Sequence, residues 1–199
     1  MYTMKLPTSY KEITVSQFMK AYEIMHDEFD SEVDRMAALI SYFIDKPFDE
    51  VMEMDIEDFK KLSLKLSFLR NDLPLFHVMD FIIVGKKIFT ATKALTQMKV
   101  NQMIDFQSIY KANNNNVYKC LDKLLPIIYV QKEYDPSKHE ENVKLLSNAK
   151  VSEVSGLVFF YSDFWCNAER TIQVYTESQL NEIARRMEWI AKNPQLVPS

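Results

Sequence analysis

The sequence predicts a mainly α fold, a helical bundle-like single domain with one β-hairpin around residues 75–92. Three observations lead there. Only two glycines, Gly85 and Gly156, occur in 199 residues, against about fourteen at average usage. So few leave little room for tight turns and none for a glycine loop around a phosphate. Apolar residues recur at helical spacing behind cap-like Thr, Ser and Asp. One stretch alone, 75–92, gathers β-branched and aromatic side chains around a glycine.

The helices follow in order. Thr14-Val-Ser-Gln17 reads as a capping box, and Phe18, Tyr22 and Met25 recur behind it. Ser31-Glu-Val-Asp34 opens a second helix with Met36, Ile40, Phe43 and Ile44 on its apolar face. Pro47 stops it and starts a short helix over 48–53. Asp55 caps the next, whose stripe is Phe59, Leu62, Leu66 and Leu69, ending near Asn71. After Pro74 the pattern changes. Residues 75–84 read as a strand, though Asp80 shortens it, Gly85 as the turn, and 86–92 as the return strand.

Helices then resume. Val100, Met103, Ile104 and Phe106 predict one over 99–112. Asn113 to Asn116 end it. The next starts near 116 with Tyr118, Leu121, Leu124 and Leu125, and Pro126 is expected to kink or end it. Segment 130–138, with Pro136, reads as a loop, and 139–148 as a charged helix. The longest apolar helical stretch, 152–175, is expected to be the central core helix. Gly156 lies inside it, where a close helix crossing would justify it. Thr176 caps a last helix to about Lys192, and 193–199 is a tail. The helical regions are thus 14–71 and 99–192, within one domain over 1–199.

Composition excludes several functions. The net charge of −4 gives no global case for nucleic-acid binding. No run has the roughly 20 apolar residues of a membrane helix, and the first residues lack a secretory signal. Cys120 and Cys166 are isolated thiols without disulfide or zinc spacing, which suits a reducing cytoplasm. His26, His77 and His139 fall in different elements, and none has a second ligand at helical spacing. Phosphate loops, serine-nucleophile elbows and dinucleotide fingerprints need glycines that this chain lacks. No catalytic, cofactor or metal site is therefore expected, and the chain is read as non-enzymatic. Trp165 and Trp189 read as packing residues or interface anchors.

Two charge clusters are candidate interaction surfaces. Asp49, Glu50, Glu53, Asp55, Glu57 and Asp58 crowd one stretch. It lacks the spacing and glycine of a calcium loop, and acids at helix N-termini suffice to explain it. Residues 81–104 hold Lys86, Lys87, Lys93 and Lys99 and no acid. Those lysines could contact phosphates, dock on an acidic partner, or guard a strand edge.

The order of elements also carries a resemblance. IIVGKKIFTATKALTQMKVNQMIDFQSIYKA, with Gly85, Gln102 and Asp105, resembles a pattern in tailed-bacteriophage morphogenesis proteins, where a Q-x-x-D helix follows a short hairpin. CLDKLLPIIY is similar to their proline-bearing helix, GLVFFYSDF to their late aromatic helix, and LPTSYKEITVSQF to their opening. The resemblance covers most of the chain. It implies a virion protein of the neck or tail, a connector-ring subunit assembled in the host cytoplasm. Its partners would be copies of itself and other phage structural proteins, with non-specific proximity to DNA in a lumen. A tail-assembly chaperone absent from the virion is the alternative. A helical DNA-binding regulator is a lesser one, since the only Arg pair, Arg185 and Arg186, sits among acids. In a ring, the acidic 49–58 face and the basic 86–99 face would meet between adjacent subunits, so reversing Lys86 and Lys87 should weaken assembly. Gln102 and Asp105 could simply be structural, for example through a side-chain bond to the hairpin backbone.

Overall fold

A computed structural model describes residues 6–92 and 97–163. The chain divides into two units, Met1–Phe160 and Tyr161–Ser199, and the elements named here belong to the first. Lys93, Cys166, Trp165, Trp189, Arg185, Arg186 and the expected last helix and tail lie outside the described residues.

The architecture is mainly α with a small antiparallel sheet, as the sequence predicts. Helix α1 (Val15–His26) begins with the expected box. Thr14 Oγ1 accepts from the Gln17 N–H at 3.2 Å, and the Gln17 side chain accepts from the Thr14 N–H at 2.9 Å. Such a cap contributes about 1 kcal/mol. Helix α2 (Glu32–Ile44) starts where Ser31 Oγ accepts from the Asp34 N–H at 3.1 Å. It ends where Asp45 turns left-handed, with φ at 52°. Short α3 (Phe48–Met52) and α4 (Ile56–Leu66) follow, and a 3-10 turn (Ser67–Arg70) closes this half.

The second half holds α5 (Val100–Ala112), α6 (Leu121–Ile128) and α7 (His139–Leu146). A further helix, α8, starts at residue 151 and takes up the rest of the first unit. Helix α6 packs against α1, α5 and α7, and Leu121, Leu124, Leu125, Ile127 and Ile128 are all buried. Val151, Val154, Leu157 and Val158 of α8 are buried too, as its apolar character requires. The start of α1 is tied to the start of α8 by backbone bonds, Val15 N–H to Ala149 C=O at 2.9 Å and Val151 N–H to Ile13 C=O at 3.1 Å.

Strands β1 (Phe81–Val84), β2 (Lys87–Ala91) and β3 (Tyr129–Val130) form the sheet in that order, antiparallel throughout. Gly85 has φ at +62° and Lys86 no positive φ, the pattern of a two-residue type II′ turn. Gly85 is therefore the hairpin turn.

Four expectations are corrected. The hairpin spans 81–91 rather than 75–92. The β1–β2 ladder ends where Asp80 C=O accepts from the Ala91 N–H at 2.8 Å, and among the described residues 75–79 have no partner in it. Pro126 does not stop α6, which continues to Ile128. That helix begins at Leu121, after a 3-10 turn over Val117–Lys119, rather than near 116. Finally, among the described residues the segment nearest Gly156 is not a helix. A Cβ there would lie 2.3 Å from Phe76 C=O and 3.1 Å from His77 C=O. The extended strap 74–80 crosses α8, backbone against backbone.

Candidate functional site

Alternation along the hairpin decides which side chains it offers. Ile82, Val84, Phe89 and Ala91 face the core and are buried. Phe81 and Ile83 lie on the other face, opposite Thr90 and Ile88. Phe81 is 53% exposed, Ile83 60% and Ile88 57%. Three large apolar side chains thus share one open face, an arrangement that marks contact surfaces. The sequence concealed it because both faces of FIIV are apolar.

The lysines around this face are less available than their sequence suggests. Lys87 Nζ lies 2.7 Å from Glu141, and Lys99 Nζ 2.7 Å from Glu133. These bonds hold the Glu141 and Glu133 carboxyls below their usual range. Lys86, at the turn, is exposed and makes no ion pair among the described residues. The basic cluster is therefore partly neutralised inside the chain, and Lys86 is the cation that the tip presents.

The acids 49–58 are all exposed. Asp49 and Glu50 lie in the first turn of α3, and Glu57 and Asp58 in that of α4. Asp55 caps α4 by accepting from the Glu57 N–H at 3.0 Å. Glu50 pairs with Lys46 at 3.0 Å and Asp58 with Lys61 at 2.9 Å. Glu53 caps the end of α3 through its backbone. Helix-end electrostatics account for the placement of Asp49, Glu50, Asp55, Glu57 and Asp58, but not for Glu53 at a helix C-terminus. No group of metal-ligating side chains occurs among the described residues.

Gln102 and Asp105 act structurally, though not on the hairpin backbone. The Gln102 Nε2 donates to Ile127 C=O and, at 3.4 Å, to the Thr92 hydroxyl, while its Oε1 accepts from the Lys99 N–H at 3.3 Å. One buried amide joins the end of β2, the end of α6 and the start of α5. Asp105 accepts from the Tyr134 hydroxyl at 2.5 Å, which fastens the 130–138 segment to α5. Burial and this bond both push the Tyr134 hydroxyl pKa up. Tyr134→Phe is expected to cost about 1 kcal/mol, since the half-exposed Asp105 regains water. Thermal unfolding measures it, and an unchanged melting temperature would contradict the assignment.

His26 stacks on Tyr22 at 4.0 Å, and Tyr22 on Tyr118 at 5.3 Å. These rings border a cavity of about 260 Å³ together with Tyr10, Phe18 and Leu73. His77 lies in the strap, and His139 opens α7. Cys120 is buried, and burial pushes its thiol up to about 12, which makes it unreactive. No helix among the described residues is long and apolar enough to cross a membrane.

Compared with known protein families, curated proteins and solved structures, the chain matches none of them.

Proposed function

We propose that this chain is a non-enzymatic structural protein of a tailed-phage neck or tail, a ring subunit that works by protein–protein contact through its hairpin. The observation that carries the reading is the open apolar face of Phe81, Ile83 and Ile88 beside the Lys86 tip. A face of this kind gains most by being covered. The phage resemblance, which centres on the same hairpin and the Gln102 helix, says what kind of assembly would cover it. The body of helices holds the hairpin in place, and the sheet edge and its tip reach the neighbour.

Among the described lysines of the cluster, electrostatics adds to this contact through Lys86, because Lys87 and Lys99 already face Glu141 and Glu133. Contact with the exposed acids 49–58 of an adjacent subunit would be head-to-tail and would close a ring where its rotation permits. Lys86→Glu is expected to weaken assembly while leaving the fold intact. Normal particle assembly by that variant would remove the charge contribution.

The decisive experiment is mass spectrometry of purified virions of the encoding phage. A stoichiometric presence is expected. Absence from finished particles would overturn the virion role and favour the assembly chaperone.

A further inference from the structure

The ladder between β1 and β2 fixes which backbone groups of β1 face outward. Asp80 C=O accepts from the Ala91 N–H at 2.8 Å, and Ile82 stands opposite Phe89. Hydrogen-bonded pairs alternate along an antiparallel ladder, so they fall at Asp80–Ala91, Ile82–Phe89 and Val84–Lys87. The N–H and C=O of Phe81 and Ile83 therefore point away from β2. They point to the open side of β1, which is the edge of the sheet. Among the described residues no backbone group bonds them there. Charges, prolines and bulges keep sheet edges from pairing. Residues 81–84 carry none of these.

We infer that β1 pairs antiparallel with β1 of a second copy of this chain, with Phe81 opposite Ile83 and a two-fold axis at Ile82. Two features select this occupant. The free backbone groups are self-complementary: in this register Phe81 of each copy exchanges both its bonds with Ile83 of the other, and no outward group is left over. The side chains agree, because residues opposite each other in a ladder share a face. Phe81, Ile83 and Ile88 of both copies then form one apolar stripe, covering side chains that are each more than half exposed in one copy.

This names the partner of the hairpin contact proposed above and rests on that reading. The contact is isologous and closes on two copies, so a ring would join such pairs through a second surface.

The test uses the full chain. Sedimentation equilibrium is expected to show a reversible dimer at about 100 μM. Hydrogen exchange should show the Phe81 and Ile83 amides protected in concentrated protein and released on dilution. The edge variant Ile83→Lys, at an exposed position, should keep the circular dichroism spectrum and raise the dissociation constant by about tenfold or more. A monomer, or a dimer whose Phe81 and Ile83 amides exchange freely, overturns the pairing. A dimer indifferent to Ile83→Lys overturns it too. The virion measurement is separate: a dimer of this kind found outside the particle refutes the virion role and leaves the pairing standing.

Discussion

Gly156→Ala is expected to destabilise the protein by about 2 kcal/mol, the opposite of what helix propensity alone gives. Within a helix, alanine is favoured over glycine by about 1 kcal/mol. Here the new methyl would sit 2.3 Å from Phe76 C=O and 3.1 Å from the backbone of His77. Its obstacle is backbone, which has no rotamer to change. Overpacking of this kind costs about 1–3 kcal/mol or somewhat more, so the clash outweighs the propensity. The strap has little freedom to lift away. Leu73 is buried at its start, and Tyr10 Oη donates to Asn71 C=O at 2.5 Å. At its end Asp80 C=O is bonded to β2. Thermal unfolding should fall by roughly 4–8 °C, taking 2–4 °C per kcal/mol for a chain of this size. Amide exchange should rise through 74–80, because that segment must move to admit the methyl. A variant that melts at or above the parent temperature would show that the strap does not press on α8.

The strap also marks where sequence reasoning stopped. Helix starts were legible because a cap is a local device. Thr14 with Gln17 and Ser31 with Asp34 bond within one turn, and both bond as their spacing says. Gly85 was legible for the same reason, since a two-residue turn of this type needs a positive φ at one known place. Residues 75–79 were not. LFHVM has strand-like composition, but a strand exists only with a partner, and no described residue pairs with these; the third strand is Tyr129–Val130, on the far edge of β2. Two residues have no periodicity, so that short strand could not be seen. Gly156 announced a close approach without saying to what. Lys87 looked free because Glu141 lies 54 residues away. The open face of the hairpin was hidden by the apolarity of both faces. Local chemistry was thus readable, and pairings across the chain were not.

The largest loss is expected from Gln102→Leu, at about 2–4 kcal/mol. The change keeps the volume and removes the polar atoms, so it isolates the hydrogen bonds. Ile127 C=O belongs to the last turn of α6, where carbonyls lack a helical partner. Ile127 itself is fully buried. Gln102 Nε2 supplies its partner, and a buried carbonyl left alone costs about 1–3 kcal/mol. The Lys99 N–H at the start of α5 loses its acceptor as well, at about 1 kcal/mol. Denaturant unfolding should show a lower midpoint with an unchanged slope, and equal stability would refute the bridge. Gln102→Glu separates hydrogen bonding from shape. Its carboxylate cannot donate to Ile127 C=O, but its protonated form can. Burial and the facing carbonyl both raise the pKa of this acid in the folded state. Its contribution to stability is then fully present below the ordinary Glu pKa and is lost as pH rises through the raised folded value. The Glu variant should therefore approach the parent in mild acid and fall furthest behind near neutrality. A deficit independent of pH would mean that shape, rather than the donated proton, is what position 102 supplies.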